Sequence, residues 1–207
     1  MATTTLAAVR TAAQNQGNFK TTDTRLTTTT WAEIINRALR QIALDHDWFW
    51  LLTNETLTTV PGTSTLAPAA TFLRTKSITH NDVGTPLTLR EISELDRITT
   101  AGRPILYTVE NSTISVKPVP DAAYTLMHRF VRTEIVLAAD GDSPLIPLEF
   151  SEGLILYATK LAFEFIHDTT KALEASKEYT AWLNRSSDNN ARSREPFQAR
   201  VRPGSLF

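Results

Sequence analysis

The sequence predicts an α+β fold: an antiparallel helical bundle with an inserted small antiparallel β module and an extended C-terminal tail. Three observations carry this. Apolar residues recur at helical spacing near both ends of the 207-residue chain. They alternate at strand spacing in between, and all periodicity stops at Ser187. The implied organisation is 1–52 as N-terminal helices of the bundle and 53–147 as a β-rich insertion. Residues 148–186 return as C-terminal helices, and 187–207 form an extended arm.

Residues 3–16 (TTTLAAVRTAAQNQ) predict a short helix with Leu6, Val9 and Ala13 on one side and Gly17 as its stop. Residues 18–30 are threonine-rich and read as a loop. Thr30-Trp31-Ala32-Glu33 then fits a capping box, in which hydroxyl and carboxylate satisfy the free amides of a helix start. Trp31, Ile34, Ile35, Ala38, Leu39 and Ile42 follow as one helical stripe. Glu33 and Arg37, four apart, face solvent in the favourable order.

After Asp47 the spacing drops to two: Trp48, Trp50 and Leu52 alternate with Phe49 and Leu51. Thr56–Val60 predicts a strand leading into the turn Pro61-Gly62-Thr63, with 72–78 (FLRTKSI) as its partner. A short helix is expected at 90–100, with Ile92, Leu95 and Ile98 on one side. Three strands follow at 105–110, 113–119 and 124–135, joined by Asn111-Ser112 and Pro120-Asp121, as an antiparallel meander. Pro144 and Pro147 make 138–150 a loop. From Ser151, Leu154, Ile155, Ala158, Leu161, Ala162 and Phe165 restore the helical period, with Lys160 and Glu164 four apart. A last helix at 169–186 carries Leu173, Ser176, Tyr179, Ala181, Trp182 and Leu183. The remainder, SDNNARSREPFQARVRPGSLF, is polar, arginine-rich and broken by two prolines.

Composition removes several classes of function. No apolar run approaches 18 residues, so no membrane-spanning helix is expected, and the first 16 residues lack the pattern of a secretory signal. The absence of cysteine removes disulfides, thiolate metal sites and cysteine nucleophiles, and suits synthesis in a reducing compartment. The net charge of −1 is uneven: residues 1–30 carry +2, residues 185–207 carry +3, and the body between them carries −6. Such a body does not suit nucleic-acid binding.

Catalytic and metal signatures are lacking. His46, His80, His128 and His167 share no metal-ligand spacing. Asp140-Gly141-Asp142 lacks the further oxygens of a calcium loop and reads as a turn. The glycines form no phosphate loop. Glu91/Glu94 and Glu149/Glu152 read as first-turn helix charges. The chain is therefore expected to be no enzyme, with no cofactor and no metal.

The octapeptide DHDWFWLL (45–52) holds three adjacent rings. A membrane dip, a sugar platform and a nucleic-acid platform each call for exposed rings in a basic or polar setting. Here acidic residues precede the rings and an amphipathic helix feeds into them. The expected role is structural: Trp31, Ile35, Leu39, Trp48, Phe49 and Trp50 form the junction of the helical core with the β module.

Four segments in order, TLAAVRTAAQ (5–14), WAEIINRALRQIALDHDWFWLL (31–52), GRPILYTVENSTISVKPVPDAAYTL (102–126) and IPLEFSEGLILYATKLAFEF (146–165), resemble the head-to-tail adaptor (connector) proteins of tailed bacteriophages. The likeness is to the short-tailed type that includes tail tubular protein A, and the threonine-rich stretch 21–30 departs from it. The resemblance implies a virion structural protein at the head–tail neck, made in the host cytoplasm. It would form a homo-oligomeric ring, commonly of twelve copies, between the portal protein and a tail nozzle or other tail protein. DNA would pass through without sequence-specific binding. The arm would dock on the portal or a neighbour through Arg192, Arg194, Phe197, Arg200, Val201, Arg202, Leu206 and Phe207. Fully extended, residues 186–207 would reach roughly 70 Å. A rival reading is another virion or tail-associated protein whose β module binds a receptor or glycan.

Overall fold

The computed structural model describes residues 4–20 and 24–194, with side chains as far as Asp188. The helices are α1 (Leu6–Gln16), α2 (Thr28–Asp45), α3 (Ile92–Leu95), α4 (Ser151–Phe165) and α5 (Thr169–Arg194). The strands are β1 (Leu52–Thr58), β2 (Thr65–Leu66), β3 (Phe72–His80), β4 (Thr88–Leu89), β5 (Leu106–Glu110), β6 (Thr113–Lys117) and β7 (Thr125–Arg132). The fold is mixed α+β with antiparallel pairing in both of its sheets. Contacts divide the chain into a helical unit, Met1–Trp50 with Glu134–Phe207, and a β unit, Leu51–Thr133.

In the helical unit, α4 packs against α1, α2 and α5. It is buried on several sides: Leu154, Leu156, Ala158, Leu161 and Phe163 are all covered. That is the pattern of an inner helix rather than a one-sided surface helix. Phe165 falls on the solvent side instead, 49% exposed. The α2 stripe is buried from Trp31 to Ala43. Its cap lies one turn earlier than the Thr30 box: the Thr27 hydroxyl accepts from the Thr30 amide at 3.2 Å. Four successive threonines each offer the same capping oxygen, so local chemistry does not choose among them. The helix starts where an extra turn is gained.

α1 is capped by Thr5 and buries Leu6, Val9 and Ala13. Its first amides are met from a distance. Leu6 N–H donates to the Asp142 carbonyl and Ala7 N–H to that of Asp140, at 2.8 and 3.1 Å. The Asp140-Gly141-Asp142 turn thus clamps the helix start. Arg10 adds a two-pronged pair to the Asp140 carboxylate at 2.7 and 2.9 Å, and Asp142 Oδ2 accepts from the amides of Ala138 and Ala139.

α5 buries Ala172, Ala175, Tyr179, Trp182 and Ser186. Leu173, expected on that stripe, is 59% exposed because it falls beside the three–four alternation rather than on it. The helix does not stop at 186. Its backbone remains helical to Arg194, so the extended arm expected from Ser187 is corrected for 187–194. A helix anchored along five turns can propagate through a polar stretch at little cost, since only nucleation is expensive.

The β unit contains two sheets, ordered β1-β7-β3 and β2-β6-β5-β4. The predicted pairing of 72–78 with the 56–60 strand is overturned: both flank β7, β1 in register Leu52↔Val131 through Thr58↔Thr125. The meander at 105–135 is likewise corrected. β5 and β6 form a hairpin across Asn111-Ser112, whose positive φ values of 46° and 58° suit a tight two-residue turn. The third strand leaves for the other sheet, since Pro118 and Pro120 deny the chain a direct return. β4 pairs with β5 in parallel. The inner faces of the two sheets share one apolar core: Leu57, Ile78 and Leu126 from the first, Leu66, Tyr107, Ile114 and Val116 from the second. The strand expected at 48–52 begins only at Leu52, because Phe49–Leu51 form a 3₁₀ turn.

Candidate functional site: the aromatic cluster and the helix beyond it

Of the residues singled out in the sequence, Trp31, Ile35, Leu39 and Trp48 are fully buried and Trp50 is nearly so. Trp48 closes the end of α2, its indole N–H donating to the Ile42 carbonyl at 2.7 Å. Trp48 and Trp50 stack at 4.7 Å, and Phe49 meets Trp50 edge-on at 5.2 Å. Two residues that sequence reasoning missed complete the cluster: Phe150, 4.7 Å from Trp50, and Trp182, 5.7 Å from Trp48. Tyr179 continues the stack from Trp182, and Tyr157 follows edge-on at 4.6 Å. Such rings gain from offset and edge contacts beyond simple burial.

A glycine allows this packing. A Cβ on Gly153 would overlap the Trp182 ring, so α5 seats this ring where α4 has no side chain. The signal was present in the sequence, a lone glycine inside a helical pattern, but its partner is 29 residues away. The Tyr179 hydroxyl donates to Asp45 Oδ2 at 2.6 Å. Burial, then this bond to a carboxylate, hold its pKa far above the ordinary phenol value.

A second cluster lies in the β unit. His128 is fully buried on β7; its Nδ1 is 2.9 Å from Glu55 Oε1 on β1 and its Nε2 is 3.0 Å from Thr75 Oγ1 on β3. Carboxylate, imidazole and hydroxyl stand in the order of an acid–base relay. The imidazole has no accessible surface, however, and lies against the rings of Phe72 and Phe130. With both nitrogens engaged, the cluster works as a strut tying three strands together. Glu55 also accepts from the Ala69 amide.

The arm residues divide. Arg192 and Arg194 lie on the helical backbone of α5. Phe197, Arg200, Val201, Arg202, Leu206 and Phe207 lie outside the described residues. Arg185, 4.0 Å from Glu152 in the first turn of α4, marks where the two helices end their overlap. α5 continues for more than two turns past that point.

Among the described residues no three histidines, aspartates or glutamates are grouped to hold a metal ion. Nor is any helix among them long and apolar enough to cross a membrane. The chain matches no curated protein sequence. The model of the SU10 adaptor protein family matches residues 2–204. That match spans both units and all four segments that carried the adaptor resemblance. By it, the chain belongs to the SU10 adaptor protein family, a family of bacteriophage head-to-tail adaptors.

Proposed function

We propose that this protein forms a ring between the portal and the tail, extending the DNA channel and sealing the joint. The observation that carries the reading is the family match over nearly the whole chain. In this role the helical unit is the rigid wall, with the aromatic cluster and the Trp31–Ile35–Leu39 stripe as its core. Residues 195–207, with Arg192 and Arg194 before them, engage the portal or a neighbouring copy. Their arginines suit two-pronged pairing with carboxylates, and Phe197, Val201, Leu206 and Phe207 supply apolar anchors. The acidic body, at −6 over residues 31–184, would let DNA slide, because a basic wall would hold phosphates through counterion release.

The test is electron microscopy of portal rings mixed with the protein. Added density of fixed symmetry on the portal is the expected result, and unchanged portal particles would reject the role. A chain cut after Arg194 keeps α5 whole. It should remain folded and lose portal docking.

A further inference from the structure

The two outer faces of the β unit differ in chemistry. Because both sheets turn their inner faces to one core, their outer faces point in opposite directions. The outer face of the β1-β7-β3 sheet follows from its register: Asn54, Thr56 and Thr58 on β1, Thr125, Met127 and Arg129 on β7, Ser77 and Thr79 on β3, with Val131 buried at one end. Arg129 is exposed at its centre, between Asn54 and Ser77, with exposed Lys76 beside it at a bulge. No strand residue on this face is a carboxylate.

The opposite side carries a groove of about 590 Å³ between α3 and β5, floored by Thr108 and lined by Leu89, Ile92, Glu91 and Glu110. Leu89 is 60% exposed, an apolar wall open to solvent. Arg90, the cation in the lining, is turned to Glu94 at 3.7 Å. The groove therefore offers two carboxylates and an apolar wall. An arginine suits it, with the stem against Leu89 and Ile92 and the guanidinium between Glu91 and Glu110.

We infer that successive copies of this chain meet through these two surfaces, the Arg129 face of one β unit seated on the Glu91–Glu110 groove of the next. The occupant is a second copy because the Arg129 face is cationic, while the groove, its Arg90 paired with Glu94, is left acidic by Glu91 and Glu110. Neither surface is self-complementary: two Arg129 faces repel, as do two grooves. A two-fold dimer through either is disfavoured, and a head-to-tail contact, the kind that closes into rings, is favoured. The inference deepens the ring reading and rests on it for the number of copies.

Charge reversal tests it, because Arg129 and Glu110 are both exposed and their substitution leaves the core intact. Association is followed by native mass spectrometry, for the full chain alone and with portal rings. Arg129→Glu and Glu110→Arg should each weaken copy-to-copy association about tenfold at low ionic strength. The double variant should recover to within about threefold of the unaltered chain. Rings that form on the portal equally well with either single reversal would overturn the contact and leave the adaptor role standing. Salt-sensitive oligomers that form without portal, and that follow the swap pattern, would support the contact even if portal docking failed. A chain that stays monomeric under both conditions would overturn the contact together with the ring.

Discussion

The helical unit and the β unit reach order by different routes. In the helical unit, rings from 48–50, 150 and 179–182 stack on one another, and position is fixed by shape. Gly153 against Trp182 is such a case. In the β unit the apolar core is lined mostly by medium-sized aliphatic side chains. Strand placement is set there by directional groups, above all His128 between Glu55 and Thr75. The difference teaches where each unit is vulnerable. Shape-fixed packing fails by leaving a void, whereas a polar strut fails by leaving a partner unpaired.

The largest expected effect is in the helical unit. Trp182→Ala removes the ring shared by Trp48 and Tyr179 and leaves a cavity opposite Gly153, where no neighbouring Cβ can fill it. The loss should be about 4 kcal/mol by chemical denaturation, with hydrogen-exchange protection falling in α4 and α5. A loss below about 1 kcal/mol would mean that the stack is decoration and that the comparison fails on its helical side.

The β unit should respond less in magnitude but with a distinct signature. His128→Leu keeps an apolar body beside Phe72 and Phe130 yet strips both hydrogen bonds, at about 2 kcal/mol. Glu55→Ala should cost a similar amount. The double variant should cost clearly less than the two together, since each single change already breaks the same link. Full additivity in this cycle would show that His128 contributes only bulk, making the two units alike.

The same contrast explains what could be read in the sequence. Helix stripes are local, so α1, α2 and the start of α4 follow from spacing alone, as does the hairpin at Asn111-Ser112. Strand partners are not local. β7 joins β1 and β3, whose paired residues lie 46 to 79 positions upstream, and turn chemistry reports only on adjacent strands. Trp48 and Trp50 alternate as in a strand because their rings stack within the helical unit, a tertiary demand that overrides the period-two reading. Residues 187–194 lack an apolar stripe, so nothing local marks them as helical; they inherit the helix from the packed turns before them. Trp48 and Trp50 were legible as buried from their acidic and amphipathic setting, but Phe150 and Trp182 needed the fold. Glu55, Thr75 and His128 lie on three strands and share no motif.

The smallest effect concerns Tyr179, where polar and shape-based fixing meet. Its ring belongs to the stack with Trp182 while its hydroxyl reaches Asp45. Tyr179→Phe keeps the ring and should cost about 1 kcal/mol at neutral pH. Its pH dependence is more telling. The folded-state phenol pKa is raised above the ordinary 10.0 by burial and by Asp45, so the unfolded chain releases this proton first. Stability from this group is complete below pH 10 and falls as pH rises above it, because the unfolded state then binds fewer protons than the folded one. The Phe variant should lack that part of the alkaline slope, and the two stability curves should converge as pH climbs past 10. If they stay parallel, the hydroxyl is not held by Asp45, and the aromatic cluster is fixed by shape alone.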